Sequence, residues 1–241
     1  MSTKHKEDIR DYIIHEDADY ILINKPSGVP TLDDRDGTQV NIKQLAKAYH
    51  ADAQVCHRLD KETSGILCIA KHPEAYRHMA IQFEDRQVKK IYHAVVNGCH
   101  EFKSEEVYLP ILAMKNGTVR IDRAEGKEAL TLFSTVQIFQ KHTLVECFPV
   151  TGRMHQIRIH LSCLKAPIVC DPSYGGAYIY LSDLKKRFNL KKETEEQPLI
   201  KRVALHAYAL QFTGLNGKLQ AYKAEYPKDF AVLVKQLEKT G

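Results

Sequence analysis

Short apolar segments separated by turn residues recur along most of this chain and restrict the folds that it can adopt. Three of them are YIIHEDADYILINKP (12–26), GILCIAK (65–71) and KIYHAVVNG (90–98). Such segments have the composition of strands and are bounded by Gly, Pro, Asp or Asn, which favour turns. Because most neighbouring segments are joined by short connections, we expect the strands to pair largely antiparallel.

Helical patterns are fewer. Pro73 opens a segment in which Ala75, Met79 and Phe83 recur every four residues, and Thr38 is a candidate N-cap for a helix through His50. Two further helices are predicted at 153–166, with apolar residues at 154, 157, 161 and 164, and at 227–239, with apolar residues at 230, 233, 234 and 237. The predicted class is therefore α+β, a largely antiparallel mixed sheet with flanking helices and loops.

The 241 residues can form one large domain or two small ones, and no repeat or Ser/Gly linker divides them. The one shift in composition is the charged segment 177–202, with seven Lys or Arg and four Asp or Glu. It is typical of a solvated helix and loop, and a surface that touches a polyanion is the alternative.

The net charge of +5 and the pI of about 8.7 are compatible with a polyanion partner but do not require one. The six cysteines contain no C-x-x-C pair, which favours free thiols in a reducing compartment. The first residues do not resemble a signal peptide, and no apolar run approaches the ~18 residues of a membrane span. We therefore expect a cytoplasmic protein that does not interact with membranes.

The stretch CHRLDKETSGILCIAK (56–71) places an arginine and a carboxylate beside an apolar run. If a strand AQVCHRL persists to the turn, Arg58 and Asp60 share one face, ~6.6 Å apart along the strand. From the residues alone, this pair is either structural or catalytic. Thr63, in the small polar loop that follows, is a candidate for capping backbone groups.

The segment TGRMHQIRIH (151–160) sets Arg158 at the border of an apolar helical stripe, where a guanidinium needs a buried acceptor. His155 and Gln156 lie around the other side of the helix. His155 and His160 are five residues apart, whereas helical zinc pairs are four apart, so we expect no metal.

Tyr92 lies in the strand KIYHAVVNG, either as a core aromatic residue or as a ring that lines a pocket. Phosphate loops, dinucleotide turns and the G-x-S-x-G nucleophile motif do not occur in the sequence. Hydrolysis of a glycosidic bond usually needs two carboxylates, but Asp60 stands out alone among basic residues. One carboxylate, several arginines and a tyrosine would make an unusual active site.

The segment HRLDKETSG (57–65) resembles the H-R-L-D-x-x-T-S-G signature of RNA pseudouridine synthases of the RluA type. The resemblance covers nearly the whole chain, in family order. The other similar segments are DADYILINKPSGVPT (17–31), KKIYHAVVNG (89–98), GKEALTLF (126–133), TGRMHQIRIHL (151–161), DPSYGG (171–176) and RVALHAYAL (202–210).

This resemblance implies the pseudouridine synthase fold and the isomerisation of uridine to pseudouridine in rRNA or tRNA, without a cofactor or a metal. It implies that Asp60 is the catalytic aspartate and that Arg158 pairs with it. Tyr92 is expected to pack against the target base, and Arg58 to enter the RNA where the uridine leaves. We also expect substrate contacts from His155, Gln156 and Thr63, which lie in the same motifs.

Asp60 must be ionised for each of three routes: attack on the ribose, attack on the base, or removal of a ribose proton. The target base must leave its stack, which costs a few kcal/mol, and stacking on Tyr92 would return ~1–3 kcal/mol.

Many relatives carry a small RNA-binding domain before the catalytic part, whereas here the family's first segment begins near residue 12. We expect a single catalytic domain over 1–241, acting as a monomer, with the 177–202 insertion and the DDRDG loop (33–37) as candidate RNA contacts. The alternatives are a catalytically silent RNA-binding protein on the same fold and an N-glycosidase that acts on free nucleosides.

Overall fold

The computed structural model describes residues 8–33, 39–185, 188 and 195–240. Within them the strands are β1 (Ile13–Glu16), β2 (Tyr20–Lys25), β3 (Gln54–Val55), β4 (Ser64–Ala70), β5 (Lys89–Asn97), β6 (Glu105–Tyr108), β7 (Ile111–Ala113), β8 (Val119–Ile121), β9 (Leu130–Ile138), β10 (His142–Pro149), β11 (Leu205–Thr213) and β12 (Leu219–Lys223). The helices are α1 (Ile42–Tyr49), α2 (Pro73–Glu84), α3 (Gln156–Cys163), α4 (Leu181–Leu184) and α5 (Lys228–Thr240).

The chain divides into two compact units, and unit one comprises Met1–Lys89 and Ala207–Glu225. Its sheet contains β1, β2, β4 and β11 in this order, with β3 on β4 and β12 on β11. The pairs β1–β2, β2–β4, β3–β4 and β11–β12 are antiparallel. All seven residues of β4 are buried, which confirms the prediction of a buried strand there. This strand anchors the loop that contains Asp60.

Unit two comprises Lys90–His206 and Tyr226–Gly241. Its sheet has the order β5-β10-β9-β6 with antiparallel pairs, and β7 and β8 form a separate hairpin. Helices α3 and α5 contribute to the apolar core of this unit. The four apolar residues predicted for the last helix, at 230, 233, 234 and 237, are all buried in that core. The strand-rich, largely antiparallel arrangement confirms the α+β class.

Three predicted element bounds are wrong, and two of them lie at the candidate site. Helix α1 begins at Ile42 with Asn41 as its N-cap, not at the predicted cap position 38. The strand AQVCHRL is reduced to Gln54–Val55, so Arg58 and Asp60 do not share a strand face. Helix α3 begins at Gln156, because His155 has left-handed backbone angles (φ 51°, ψ 20°) and cannot continue a right-handed helix. Both segments leave regular structure where the candidate site residues lie.

Several predictions about loops fall wholly or partly on residues 34–38, 186–187 and 189–194, which lie outside the described residues. They concern Thr38, most of the DDRDG loop, and the centre of the 177–202 insertion. The described ends of the insertion contribute Ile179, Leu184 and Ile200 to the core of unit two, so these ends are not a solvated appendage.

No helix among the described residues is long and apolar enough to cross a membrane. The single-domain organisation stays a prediction.

Candidate active site

The predicted site residues fall into two groups, one in each unit. Asp60 belongs to unit one and lies in the turn between β3 and β4, where it is half-buried. The amide of Thr63 donates a 3.0 Å hydrogen bond to the carbonyl oxygen of Asp60. Thr63 is 2% exposed, so its side chain belongs to the packed interior of the loop.

The residue before Asp60 is held by a threonine from the segment 25–31. The hydroxyl of Thr31 donates to the carbonyl oxygen of Leu59 at 2.8 Å and accepts from the amide of Leu59 at 3.1 Å. Both groups are buried, and the Leu59 side chain is 5% exposed. A single side chain therefore satisfies both polar backbone groups of Leu59, which fixes the chain directly before the carboxylate.

The residues after Asp60 are held by the same segment. The carbonyl oxygen of Lys61 accepts from the amide of Gly28 at 2.9 Å and from Nζ of Lys25 at 3.2 Å. The hydroxyl of Ser27 donates to the carbonyl oxygen of Glu62 at 2.8 Å. The motif NKPSGVPT thus clamps the backbone on both sides of Asp60, which is the preorganisation that a reacting group needs.

His57 and Arg58 differ in exposure. Nε2 of His57 accepts a 3.1 Å hydrogen bond from the amide of Cys68, and its ring lies 5.0 Å from the ring of Phe83. His57 therefore ties the turn to β4. Arg58 is exposed, which suits a side chain that enters RNA. That role of Arg58 stays a prediction.

In unit two, Tyr92 lies on β5 opposite Cys147 of β10 and is half-buried against the core. Lys90 lies on the same face of β5, because side chains alternate along a strand. Its Nζ lies 3.4 Å from the carbonyl oxygen of Thr151. Burial lowers the pKa of Lys90 to about 8. The face that carries Tyr92 thus also carries a lysine whose charge changes near neutral pH.

Gln156 begins α3 and uses both ends of its amide inside unit two. Its Oε1 accepts from the hydroxyl of Thr151 (2.8 Å) and the amide of Arg153 (2.9 Å). Its Nε2 donates to the carbonyl oxygen of Leu130 and to the hydroxyl of Thr131, both at 2.9 Å. Gln156 is 4% exposed and organises the start of α3. Its expected contact with RNA stays a prediction.

Arg158 has the buried acceptor that the sequence required, and this acceptor is Asp171. Nε donates to Oδ2 and Nη2 donates to Oδ1, both at 2.7 Å. The guanidinium carbon also lies 5.0 Å from the ring centroid of Tyr174, whose hydroxyl is hydrogen-bonded to Nδ1 of His155 at 2.8 Å. The pairing of Arg158 with Asp60 stays a prediction.

Sequence reasoning missed Asp171, although it opens DPSYGG, one of the segments that carry the resemblance. The available signal was an aspartate placed directly after the apolar run APIVC, where a carboxylate needs a cation. Its side chain is fully buried. Among the residues that the structure describes, no group of three or more His, Cys, Asp or Glu could hold a metal ion.

Three comparisons with known proteins bear on this site. The family model of the RNA pseudouridylate synthases matches residues 19–163, which contain Asp60, Tyr92 and Arg158. The ribosomal large subunit pseudouridine synthase C of Buchnera aphidicola is 33% identical over 83% of this chain and 62% of its own length. Synthase D of Borreliella burgdorferi is 31% identical over 95% of this chain and 69% of its own length.

Some of these relatives are longer proteins. The chain spans 62% of the length of the Buchnera enzyme. An uncharacterized RNA pseudouridine synthase of Zymomonas mobilis is matched over 96% of its length, with 31% identity over 92% of this chain. Among solved structures, human RNA pseudouridylate synthase domain containing 4 has a TM-score of 0.72 and 26% identity, covering 95% of this chain and 94% of its own. By sequence and by fold, the chain belongs to the RNA pseudouridylate synthase family.

Proposed function

We propose that this protein isomerises uridine to pseudouridine within a structured RNA, rRNA or tRNA, without a cofactor or a metal. The observation that supports this most is the clamp around Asp60. Hydrogen bonds from the segment 25–31 hold the backbone of Leu59, Lys61 and Glu62, on both sides of Asp60, which is the one acid of the motif HRLD. A reacting carboxylate must be held in this way, whereas a silent RNA-binding surface has no need of it.

In the proposed reaction Asp60 promotes cleavage of the bond between the uracil nitrogen and the ribose, and carbon 5 of the turned uracil then bonds to the same ribose carbon. The hydrogen on carbon 5 leaves as a proton, and the freed nitrogen takes up a proton. Arg158 pairs with Asp60 and keeps it ionised through a charge-assisted hydrogen bond. Tyr92 presents its ring to the base that has left the stack, and Arg58 fills the gap in the RNA. His155 and Thr63 contact the RNA substrate in this proposal.

The names of the relatives support the choice of the first RNA to test. The Buchnera and Borreliella relatives are ribosomal large subunit synthases by name, so large-subunit rRNA is the first substrate to test. Because rRNA-directed and tRNA-directed synthases share the catalytic core, tRNA is tested beside it. Pseudouridine mapping of total RNA, with and without the gene, identifies the modified position directly.

The decisive assay uses RNA labelled with tritium at carbon 5 of uracil, because isomerisation releases that hydrogen to water. Wild-type protein should release label from RNA of a strain that lacks the gene. Asp60→Asn should lower turnover by about 1,000-fold or more, as expected when a reacting group is removed. Asp52→Asn is the matched control, since Asp52 is an exposed acid of the same unit, and it should retain wild-type turnover.

Each alternative function has its own outcome in this assay. Release of free uracil without pseudouridine in the RNA would identify an N-glycosidase. RNA binding without release of tritium would identify a catalytically silent protein. An Asp60→Asn variant with normal turnover would contradict the proposed mechanism.

A further inference from the structure

The guanidinium of Arg158 is held along one edge by a buried carboxylate. Nε and Nη2 each donate to a different oxygen of Asp171 at 2.7 Å, and the side chains are 9% and 0% exposed. Two parallel hydrogen bonds of this kind fix both the position and the plane of a guanidinium. Nη1 is not part of this pair, and the fork sets the direction in which it points.

The flat face of the same guanidinium is covered by an aromatic ring. The ring of Tyr174 lies 5.0 Å from the guanidinium carbon, within the range of a cation–π contact. The Tyr174 hydroxyl is anchored in turn, because it accepts from the amide of Val119 at 3.0 Å and is hydrogen-bonded to Nδ1 of His155 at 2.8 Å. Arg158 is therefore fixed along an edge and on a face.

From this geometry we propose that Asp171 is a positioning residue for the isomerisation, one that acts through Arg158. The proposal rests on the proposed function, in which Arg158 pairs with the reacting Asp60. Asp171 orients the guanidinium so that the nitrogen outside the fork is aimed before RNA binds. Arg158 and His155 come from the motif TGRMHQIRIH, and Asp171 and Tyr174 come from DPSYGG. The contacts among these four side chains fix the guanidinium.

A buried ion pair adds little to stability compared with apolar residues of similar volume, so stability alone does not explain this one. A fork that presets the reacting geometry does explain it, because a displacement of about 1 Å near the chemistry can cost about 100-fold in rate. Asp171→Asn keeps the shape of the side chain but offers one acceptor oxygen and turns an amide N–H toward the guanidinium. The fork is then lost, while the charge of Arg158 remains.

A second arginine–carboxylate fork in the same unit is the matched control. Nε of Arg202 donates to Oδ2 of Asp229 at 2.7 Å, and Nη2 donates to Oδ1 at 3.0 Å. The Arg202 side chain is 6% exposed, whereas the Asp229 side chain is 41% exposed and that of Asp171 is fully buried. Asp229→Asn therefore makes the same chemical change in a more exposed fork that the proposed reaction does not use.

The experiment measures kcat and KM by tritium release, with the melting temperature of each variant. We expect Asp171→Asn to lower kcat by about 100-fold while KM changes by less than about twofold. Asp229→Asn should leave kcat within about twofold of wild type. Arg158→Lys, which cannot form the fork, should lower kcat similarly. Adding Asp171→Asn to Arg158→Lys should lower kcat no further, because both changes disrupt the same Arg158–Asp171 pair.

The proposal is overturned if folded Asp171→Asn retains wild-type kcat, if Asp229→Asn loses as much as Asp171→Asn, or if the effects of Asp171→Asn and Arg158→Lys multiply. If Asp171→Asn does not fold, Asp171→Glu replaces it. Its displaced carboxylate should lower kcat about tenfold with the same lack of additivity. Wild-type protein that releases no tritium from any RNA would instead refute the proposed function, so the two failures are distinguishable.

Discussion

Nζ of Lys25 donates a 3.2 Å hydrogen bond to the carbonyl oxygen of Lys61, the residue that follows Asp60. The Lys25 side chain is fully buried, and the same nitrogen donates to the carbonyl oxygens of Pro26 and Val29, each at 2.8 Å. A buried ammonium that joins three carbonyl groups from two loops is a strong local constraint, because hydrogen bonds from charged donors exceed neutral ones in strength. The backbone near Asp60 depends on it.

We therefore expect Lys25→Met to lower the free energy of unfolding by about 3 kcal/mol, because three carbonyl groups lose a donor at roughly 1 kcal/mol each. Urea denaturation measures this. Lys43→Met is the control, since Lys43 forms a 3.1 Å ion pair with Asp33 in which both side chains are about half exposed. Its loss should cost less than about 1 kcal/mol. Equal losses in the two variants would mean that the Lys25 contacts do not stabilise the loop.

Gly65 occupies a position where a side chain has no room. A Cβ there would lie 2.2 Å from the carbonyl oxygen of Ala207, and the φ angle is +117°. We expect Gly65→Ala to destabilise the protein by about 3 kcal/mol or more, because strain at φ adds to a clash with a neighbouring backbone. The measurement is urea denaturation.

Gly28→Ala separates these two causes. Gly28 also has positive φ (+85°), but a Cβ there would have nothing within 4 Å. This variant carries the backbone strain alone and should lose about 1 kcal/mol. If both variants lost the same amount, the close approach at Ala207 would have no energetic weight.

The pH dependence of the free energy of unfolding should show the lowered pKa of Lys90. Its pKa falls from the ordinary 10.5 to about 8 in the folded protein because of burial. Between these two values the unfolded chain binds one proton more than the folded protein, so stability rises with pH across this window. Below about pH 8 both states carry the proton, and the slope vanishes. The stability of wild type relative to Lys90→Met should therefore rise between pH 8 and 10.5, since the buried thiols of Cys68 and Cys147, whose raised pKa gives the opposite slope, are the same in both proteins.

An NMR titration of the Lys90 side chain provides an independent check, since its midpoint should lie near pH 8. Lys223→Met is the control for the stability measurement, because Lys223 lies over the ring of Tyr208 in unit one. That variant should retain the rise between pH 8 and 10.5. A Lys90 midpoint near 10.5 would contradict the prediction.

Gln156→Leu should lower the free energy of unfolding by about 2–4 kcal/mol, because it removes four hydrogen bonds that contribute about 0.5–1.5 kcal/mol each. Its four partners are Thr151, Arg153, Leu130 and Thr131. The affinity for unreacted RNA should change little if Gln156 organises α3 without touching RNA. Filter binding measures that affinity. A large loss of affinity in a stably folded variant would instead support the direct contact predicted from the sequence.

The features that sequence predicted well are those that repeat along the chain. Helix α5 is marked by Pro227 and by apolar residues at helical spacing, and β4 is a continuous apolar run that follows a polar turn. Both signals are local. The position of HRLD shortly before β4 was also predicted, but the assignment of its first three residues to a strand is wrong, because that strand ends at Val55.

The features that sequence could not predict depend on contacts between distant residues. The start of α3 is set by the left-handed backbone of His155 and by the four hydrogen bonds of Gln156, two of which reach 25 and 26 residues along the chain. The turn before Asp60 is fixed by Thr31, which binds both polar backbone groups of Leu59 from 28 residues away. Asp171, 13 residues from Arg158, is paired only once the chain is folded. No local pattern encodes these partners.

The clamp around Asp60 acts almost wholly on backbone groups. Thr31, Gly28, Ser27 and Lys25 all bind amides or carbonyl oxygens of residues 59, 61 and 62. The side chains of Lys61 and Glu62, which are exposed and half-buried, are not what these bonds hold. A substitution of the exposed Lys61 side chain therefore leaves these backbone hydrogen bonds intact, so the position of Asp60 does not depend on which side chain stands next to it.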